Sequence, residues 1–343
     1  MDNIKAPPMA DSLVLSWMTR FVLYVVTAVS HFACRPDGTI NRRLLTFFDP
    51  KVFPYGKPLK GVRTADISVD PARNLWFRLF IPTESPHHTS LPLPVIVFFH
   101  GGGFAFQSAD SIGFEIFCRR MARSISAIVV SVNYRLSPEH RFPAQYDDGF
   151  DALRFLDEQN FDGFPADADL KRCFLAGDSA GANLAHHVAC RASKAEFREV
   201  KVIGLISIVP FFGGEERTES EIRLVGAPLV SMRITDWLWK AFLPEGSDRD
   251  HEAVNVSGPN AADITSFNHP ATLVLVGGFD PLQDWQRRYY EWLRRSGKEA
   301  YLIEYPNAFH TFYLFPELPE SSLLLSEVKN FVQHQSKSNI NMK

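Results

Sequence analysis

From residue 95 onward the chain carries short, unbroken apolar runs at 95–99, 127–132, 173–176, 202–209, 272–276 and 301–305. Runs of this length without polar alternation read as strands buried on both faces of a sheet. Helix-compatible stretches lie between them at 114–124, 146–159, 180–192, 284–296 and 320–335. Such alternation predicts a doubly wound, mostly parallel α/β sheet, in which sites form at the carboxyl ends of the strands. Upstream, 62–69 and 75–81 also read as strands, with Trp76, Arg78 and Phe80 alternating with apolar neighbours in the second. Residues 82–94 form a Pro/Ser/His-rich loop whose His87 and His88 read as solvated. No internal repeat is visible.

The ends and one insertion break this pattern. Residues 1–10 read as disordered, Asp11 as the cap of a helix over 12–33, Arg35 to Thr39 as a turn, and 42–48 as a second short helix. Arg20 and His31 interrupt the apolar stretch 12–33 too often for a membrane span, which needs about 18 clean residues. Asp2, Lys5, Asp11 and Arg20 mix charges in a way that suits a secretory signal poorly. The stretch is therefore read as an amphipathic helix covering an apolar surface, with targeting or anchoring as the alternative. At 211–255 the alternation stops, and an aromatic helical patch runs from Trp237 to Leu243. This insertion is read as a lid, as an anchor to the core, or as both. The expected organisation is residues 1–48 as N-terminal lid helices and 49–343 as one α/β domain with a cap insertion at about 211–255.

Chemistry centres on Gly177-Asp178-Ser179-Ala180-Gly181, which sits between a predicted strand and a predicted helix. A serine on so sharp a turn needs small residues two positions away on either side, because the turn brings those backbones together. His100-Gly101-Gly102-Gly103-Phe104 follows another predicted strand, and its glycines let backbone N–H groups approach a ligand. Gly101, Gly102 and Ala180 are the expected donors to an oxyanion. No Gly-Lys-Ser/Thr follows, so a phosphate loop is not indicated.

A serine nucleophile needs a base, and the base an orienter. His310 follows the last strand-like run and comes after the serine in the chain; Asp280 ends the preceding strand. His186 and His187 lie on the helix that Ser179 starts, where they cannot reach back to it. His100 is read as fixing the glycine loop, and His140, His251 and His269 as loop residues. Asp284 competes with Asp280 but reads better as the cap of the next helix. Asp178 is read as a hydrogen-bond hub. Gly103, Phe104, Asp178, Trp237, Phe309 and Tyr313 are the candidate substrate-pocket residues.

Composition adds exclusions. The 343 residues are 45% hydrophobic and 22% charged with net charge −3, which does not suit a nucleic-acid binder. The four cysteines, Cys34, Cys118, Cys173 and Cys190, match no metal motif and no CxxC spacing. No metal and no cofactor are expected, and a reducing compartment, the cytoplasm with the nucleus as a second location, is the simpler reading.

Taken together, these segments resemble the plant carboxylesterases of the hormone-sensitive-lipase-like branch of α/β-hydrolases. The resemblance rests on His100 to Gly103, Asn133-Tyr134-Arg135-Leu136-Ser137-Pro138-Glu139, Tyr146-Asp147-Asp148-Gly149, Gly177 to Gly181, Asp280 and His310. It implies the α/β-hydrolase fold and hydrolysis of a small-molecule ester, with no nucleic acid, no stable membrane insertion and no cofactor. The chain is also similar to the gibberellin receptors at 35–42, 212–221 and 239–246. There the N-terminal helix is a lid over the hormone, the catalytic histidine is missing, a serine stands at the place of Gly103, and a tyrosine matching Tyr313 lies near the ligand. The resemblance implies a protein partner only for a receptor-like chain. Ala182 stands where many relatives carry glycine. Some relatives are cyclases or dehydratases, and the dehydratases replace the nucleophilic serine by threonine; this chain keeps Ser179.

Overall fold

The computed structural model describes residues 15–83, 92–158 and 161–341. Its strands are β1 (Val62–Asp70), β2 (Leu75–Pro82), β3 (Leu93–Phe99), β4 (Ile128–Asn133), β5 (Ala168–Asp178), β6 (Val202–Ile208), β7 (Ala271–Gly277) and β8 (Ala300–Tyr305). They form one sheet in the order β1-β2-β4-β3-β5-β6-β7-β8. β1 and β2 pair antiparallel, as do β2 and β4, and every later pairing is parallel. The doubly wound, mostly parallel sheet expected from the apolar runs is therefore present.

The two faces explain why those runs are continuous. On β3, Val95, Val97 and Phe99 join one apolar cluster while Ile96 and Phe98 join the other. With both sides covered there is no solvent face to impose alternation. The covering helices are α1 (Trp17–Ala33), α2 (Arg42–Phe48), α3 (Ile112–Ile125), α4 (Ala144–Glu158), α5 (Ala180–Ala192), α6 (Glu219–Arg223), α7 (Met232–Phe242), α8 (Gln283–Arg295) and α9 (Pro319–Asn341).

Two helix starts differ from expectation. α1 is capped by Ser16, whose hydroxyl accepts the Thr19 N–H at 3.1 Å; Asp11 lies outside the described residues, as do His87 and His88. Asp284 does not cap α8, which begins after Leu282. Its carboxylate is drawn instead to the start of α6, where it accepts the Ser220 N–H at 2.8 Å.

α1 is also not a conventional amphipathic helix. Its polar side chains hold it down: Thr19 donates to Glu317 at 3.0 Å, and Thr27 accepts the Leu229 N–H at 3.0 Å. His31 meets Ser231 at 3.3 Å. Trp17, Phe21, Tyr24 and Phe32 face solvent, each more than 60% exposed. α1 thus joins the segment after His310 to the 211–255 insertion through hydrogen bonds. No helix among the described residues is long and apolar enough to cross a membrane.

Candidate active site

Ser179 stands between β5 and α5 at φ +51°, a left-handed value that side chains rarely adopt. The flanking glycines are obligatory for the reason anticipated. A Cβ on Gly177 would sit 2.2 Å from the Gly181 carbonyl oxygen, and one on Gly181 would sit 1.9 Å from that of Phe99. The turn is pinned by the Ser179 N–H donating to Ile208 O at 2.9 Å and by the Phe211 N–H donating to Ser179 O at 2.9 Å.

His310 and Asp280 arrive at the same place from the carboxyl ends of β8 and β7. His310 Nε2 lies 2.8 Å from Ser179 Oγ, and Nδ1 lies 2.7 Å from Asp280 Oδ2. All three side chains are buried. Because a carboxylate can only accept, Nδ1 carries the proton and Nε2 presents its lone pair to the serine. Asp280 is itself fixed: its Oδ1 accepts the Leu282 N–H at 2.9 Å, and its Oδ2 accepts Gln286 Nε2 at 2.7 Å. Sequence reasoning did not single out Gln286; its position one helical turn into α8 was the available signal.

The glycine loop corrects one expectation. The Gly101 N–H donates to Asp178 Oδ1 at 2.8 Å, so it is not aimed at a substrate. The backbone N–H groups of Gly102, Gly103 and Ala180 have no hydrogen-bond partner among the described residues. Gly102 and Gly103 sit at φ +103° and +59°. A Cβ on Gly102 would meet the Phe106 carbonyl oxygen at 2.4 Å, and one on Gly103 would meet Leu238 Cδ1 of α7 at 2.3 Å. A serine at Gly103 would therefore be strained by its backbone and would have to push the Leu238 side chain aside. Gly102→Ala keeps the N–H, but the clash with Phe106 would swing it out of place, so kcat for ester hydrolysis is expected to fall by roughly 10²–10³-fold, the effect of losing one oxyanion donor. Steady-state kinetics with p-nitrophenyl butyrate check this.

Asp178 is the hub it was read to be. Its second oxygen accepts the Tyr313 hydroxyl, so the side chain ties the glycine loop to the turn after His310. Burial raises its pKa to about 7, opposed by these two hydrogen bonds. The native state thus holds a proton that the unfolded chain releases near pH 3.8. This contribution to stability is complete below that pH and is lost as pH rises through about 7. The Tm of the wild type relative to Asp178→Asn is expected to fall between about pH 4 and pH 7. Asp178→Ala leaves two donors unpaired and costs about 1–3 kcal/mol for each. Thermal melts across that pH range test both statements.

The remaining candidates are placed as follows. Phe104 stacks on Phe242 at 4.0 Å and Phe309 packs edge-on against Phe315 at 5.5 Å. Both are fully buried in the core, where a pocket wall was expected, because their rings are directed into the two apolar clusters. Tyr313 is buried with its hydroxyl committed to Asp178. Trp237 is half-buried and donates to Arg35 O at 2.8 Å, joining α7 to the N-terminal turn. Trp239 stacks on Phe211 at 4.0 Å, which anchors the insertion. His100 holds its loop as expected, stacked on Tyr134 at 4.3 Å, with the Tyr134 hydroxyl donating to His100 O at 2.6 Å.

An open cavity of about 390 Å³ includes none of the triad and is lined in part by Arg42, Lys51, Arg73 and Arg135. Each of these cations is paired with a carboxylate, so the cavity has no spare charge for an anion.

Comparison with known proteins agrees with this fold. The family model described as alpha/beta hydrolase fold matches residues 96–314. The gibberellin receptor GID1C of Arabidopsis thaliana is 42% identical over 308 residues, covering 87% of this chain and 88% of the receptor. Carboxylesterase 20 of the same plant is 36% identical, covering 87% and 93%. Among solved structures, an esterase of Pyrobaculum calidifontis superposes with a TM-score of 0.71 at 27% identity, covering 95% of this chain and 99% of that one.

Proposed function

Because this chain belongs to the alpha/beta hydrolase fold family, we propose that it is a serine carboxylesterase acting on an ester of a small apolar molecule through an acyl-enzyme on Ser179. The single observation that carries this reading is the unbroken relay from Ser179 Oγ to His310 Nε2 at 2.8 Å and from His310 Nδ1 to Asp280 at 2.7 Å.

In this reading Ser179 Oγ attacks the ester carbonyl as His310 Nε2 takes its proton. Asp280 holds the imidazole and stabilises the imidazolium. The N–H groups of Gly102, Gly103 and Ala180 receive the developing oxyanion in a water-poor site. Collapse of the tetrahedral intermediate expels the alcohol, which takes the proton back from His310. Water activated by the same imidazole then releases the acid. Leu238, directly over the glycine loop, favours an apolar group at this end of the site.

A second reading, a gibberellin-binding protein, has its support in the four gibberellin receptors that are 39–42% identical to the chain. Against it stand His310, which is in place as a base, and Gly103, where a side chain would be strained at φ +59° and would crowd Leu238. Purified protein is expected to hydrolyse p-nitrophenyl acetate or butyrate and to react with a fluorophosphonate. Failure of both, together with tight gibberellin binding by calorimetry, would replace the first reading by the second.

A further inference from the structure

We propose that His186, Cys190 and His269 form a binding site for one zinc-type divalent cation, at the opposite end of the sheet from Ser179. His186 and Cys190 are four apart on α5 and so share one helical face. His269 immediately precedes Pro270 and β7, so it lies at that strand's amino end, whereas Ser179, Asp280 and His310 lie at carboxyl ends. One ring nitrogen of each histidine and the Cys190 sulfur fall within 4.8 Å of one another.

The spacing suits an ion. Cys190 Sγ lies 3.6 Å from His186 Nε2. Tetrahedral zinc, with bonds of about 2.0–2.3 Å, holds a nitrogen and a sulfur ligand about 3.6 Å apart. Two imidazoles and a thiolate are a donor set suited to zinc. A water completes the fourth position, since Cys190 is only partly buried.

The outer contacts set both rings for ligation. His269 Nδ1 lies 3.0 Å from the Pro270 carbonyl, which can only accept, so the proton is on Nδ1. Its Nε2 therefore carries a lone pair, and this buried atom has no hydrogen-bond partner among the described residues. His269 itself is 8% exposed. His186 Nδ1 lies 3.0 Å from the Tyr289 hydroxyl, the kind of contact that orients a ligating imidazole. A hydrogen bond between Cys190 and His186 alone would leave His269 Nε2 unexplained.

The assembly was invisible to spacing rules because His269 is distant in the chain and is delivered by β7. A metal there ties α5 to the amino end of β7, a structural role independent of ester hydrolysis.

Cobalt(II) reports on the site directly. Full-length protein stripped with a chelator is expected to bind one equivalent of cobalt and to show both visible bands of tetrahedral cobalt and a near-ultraviolet thiolate-to-cobalt band. Zinc should displace both signals and protect Cys190 from alkylation, as read by peptide mapping. Cys190→Ser should abolish the thiolate band, and His269→Gln should weaken binding by roughly 10–100-fold or more. Wild-type protein with no thiolate band, or with a band that survives in Cys190→Ser, would overturn the proposal. The wild-type spectrum decides even if a variant does not fold.

Discussion

Ser179→Ala is expected to lower kcat for p-nitrophenyl butyrate by roughly 10⁵–10⁶-fold and to end fluorophosphonate labelling. The size follows from what the hydroxyl does. Without Oγ there is no acyl acceptor, and His310 has no serine proton to take. What survives is water attack assisted by the oxyanion donors and by binding. The members of a relay act as a unit, so Ser179→Ala/His310→Ala should be scarcely worse than either single change. Fold integrity is separable, because alanine keeps the Cβ and the +51° backbone and should melt like the wild type. Ser179→Gly removes the strain of that backbone, which typically costs about 1–3 kcal/mol, and should raise Tm while remaining inactive. A nucleophile that is also a point of strain predicts this pairing of lost activity with gained stability. Kinetics and calorimetry on the two variants check it.

The second large effect is Asp280→Asn, for which kcat should fall by about 10⁴-fold. Asp280 takes hydrogen bonds from His310 Nδ1, Gln286 Nε2 and the Leu282 N–H, all donors. An amide offers one acceptor oxygen and one donor nitrogen; with the nitrogen at the Oδ2 position, the His310 and Gln286 contacts both become donor against donor. Relief comes most easily at His310, whose proton moves to Nε2. The ring then faces Ser179 with a proton rather than a lone pair and cannot act as base. A merely structural role for Asp280 would lower Tm but leave the pH profile of kcat/KM unchanged. The relay instead predicts a changed profile, and stopped-flow measurements across pH distinguish the two.

Much of this was legible in the sequence, for physical reasons. The parallel strands announced themselves as unbroken apolar runs because Val95 to Phe99 alternate between two buried faces. Ser179, Asp280 and His310 were legible because each ends a strand, and strand ends converge in a doubly wound sheet. The glycines at 177 and 181 followed from the crowding of the turn.

What was missed depended on partners far away in the chain. Three adjacent glycines cannot reveal which N–H is already engaged; Asp178 decides that by binding Gly101. Asp284 has the composition of a cap but answers to Ser220 of another helix. Phe104 and Phe309 are aromatic either way, and only packing directs them to the core. α1 was read by hydropathy, yet Thr19 and Thr27 bind it to the protein while Trp17, Phe21, Tyr24 and Phe32 face solvent. His186, Cys190 and His269 have no common sequence signature, because two come from a helix turn and the third from a strand start.

The central claim is that Ser179 is acylated during turnover. Rapid quenching of the protein during hydrolysis of p-nitrophenyl butyrate, followed by peptide mass spectrometry, measures this directly. The account predicts an initial burst of p-nitrophenolate approaching one equivalent and a butyryl adduct on the peptide carrying Ser179, both absent from Ser179→Ala. Hydrolysis that continues undiminished in Ser179→Ala, or turnover with the adduct on another residue, would contradict it.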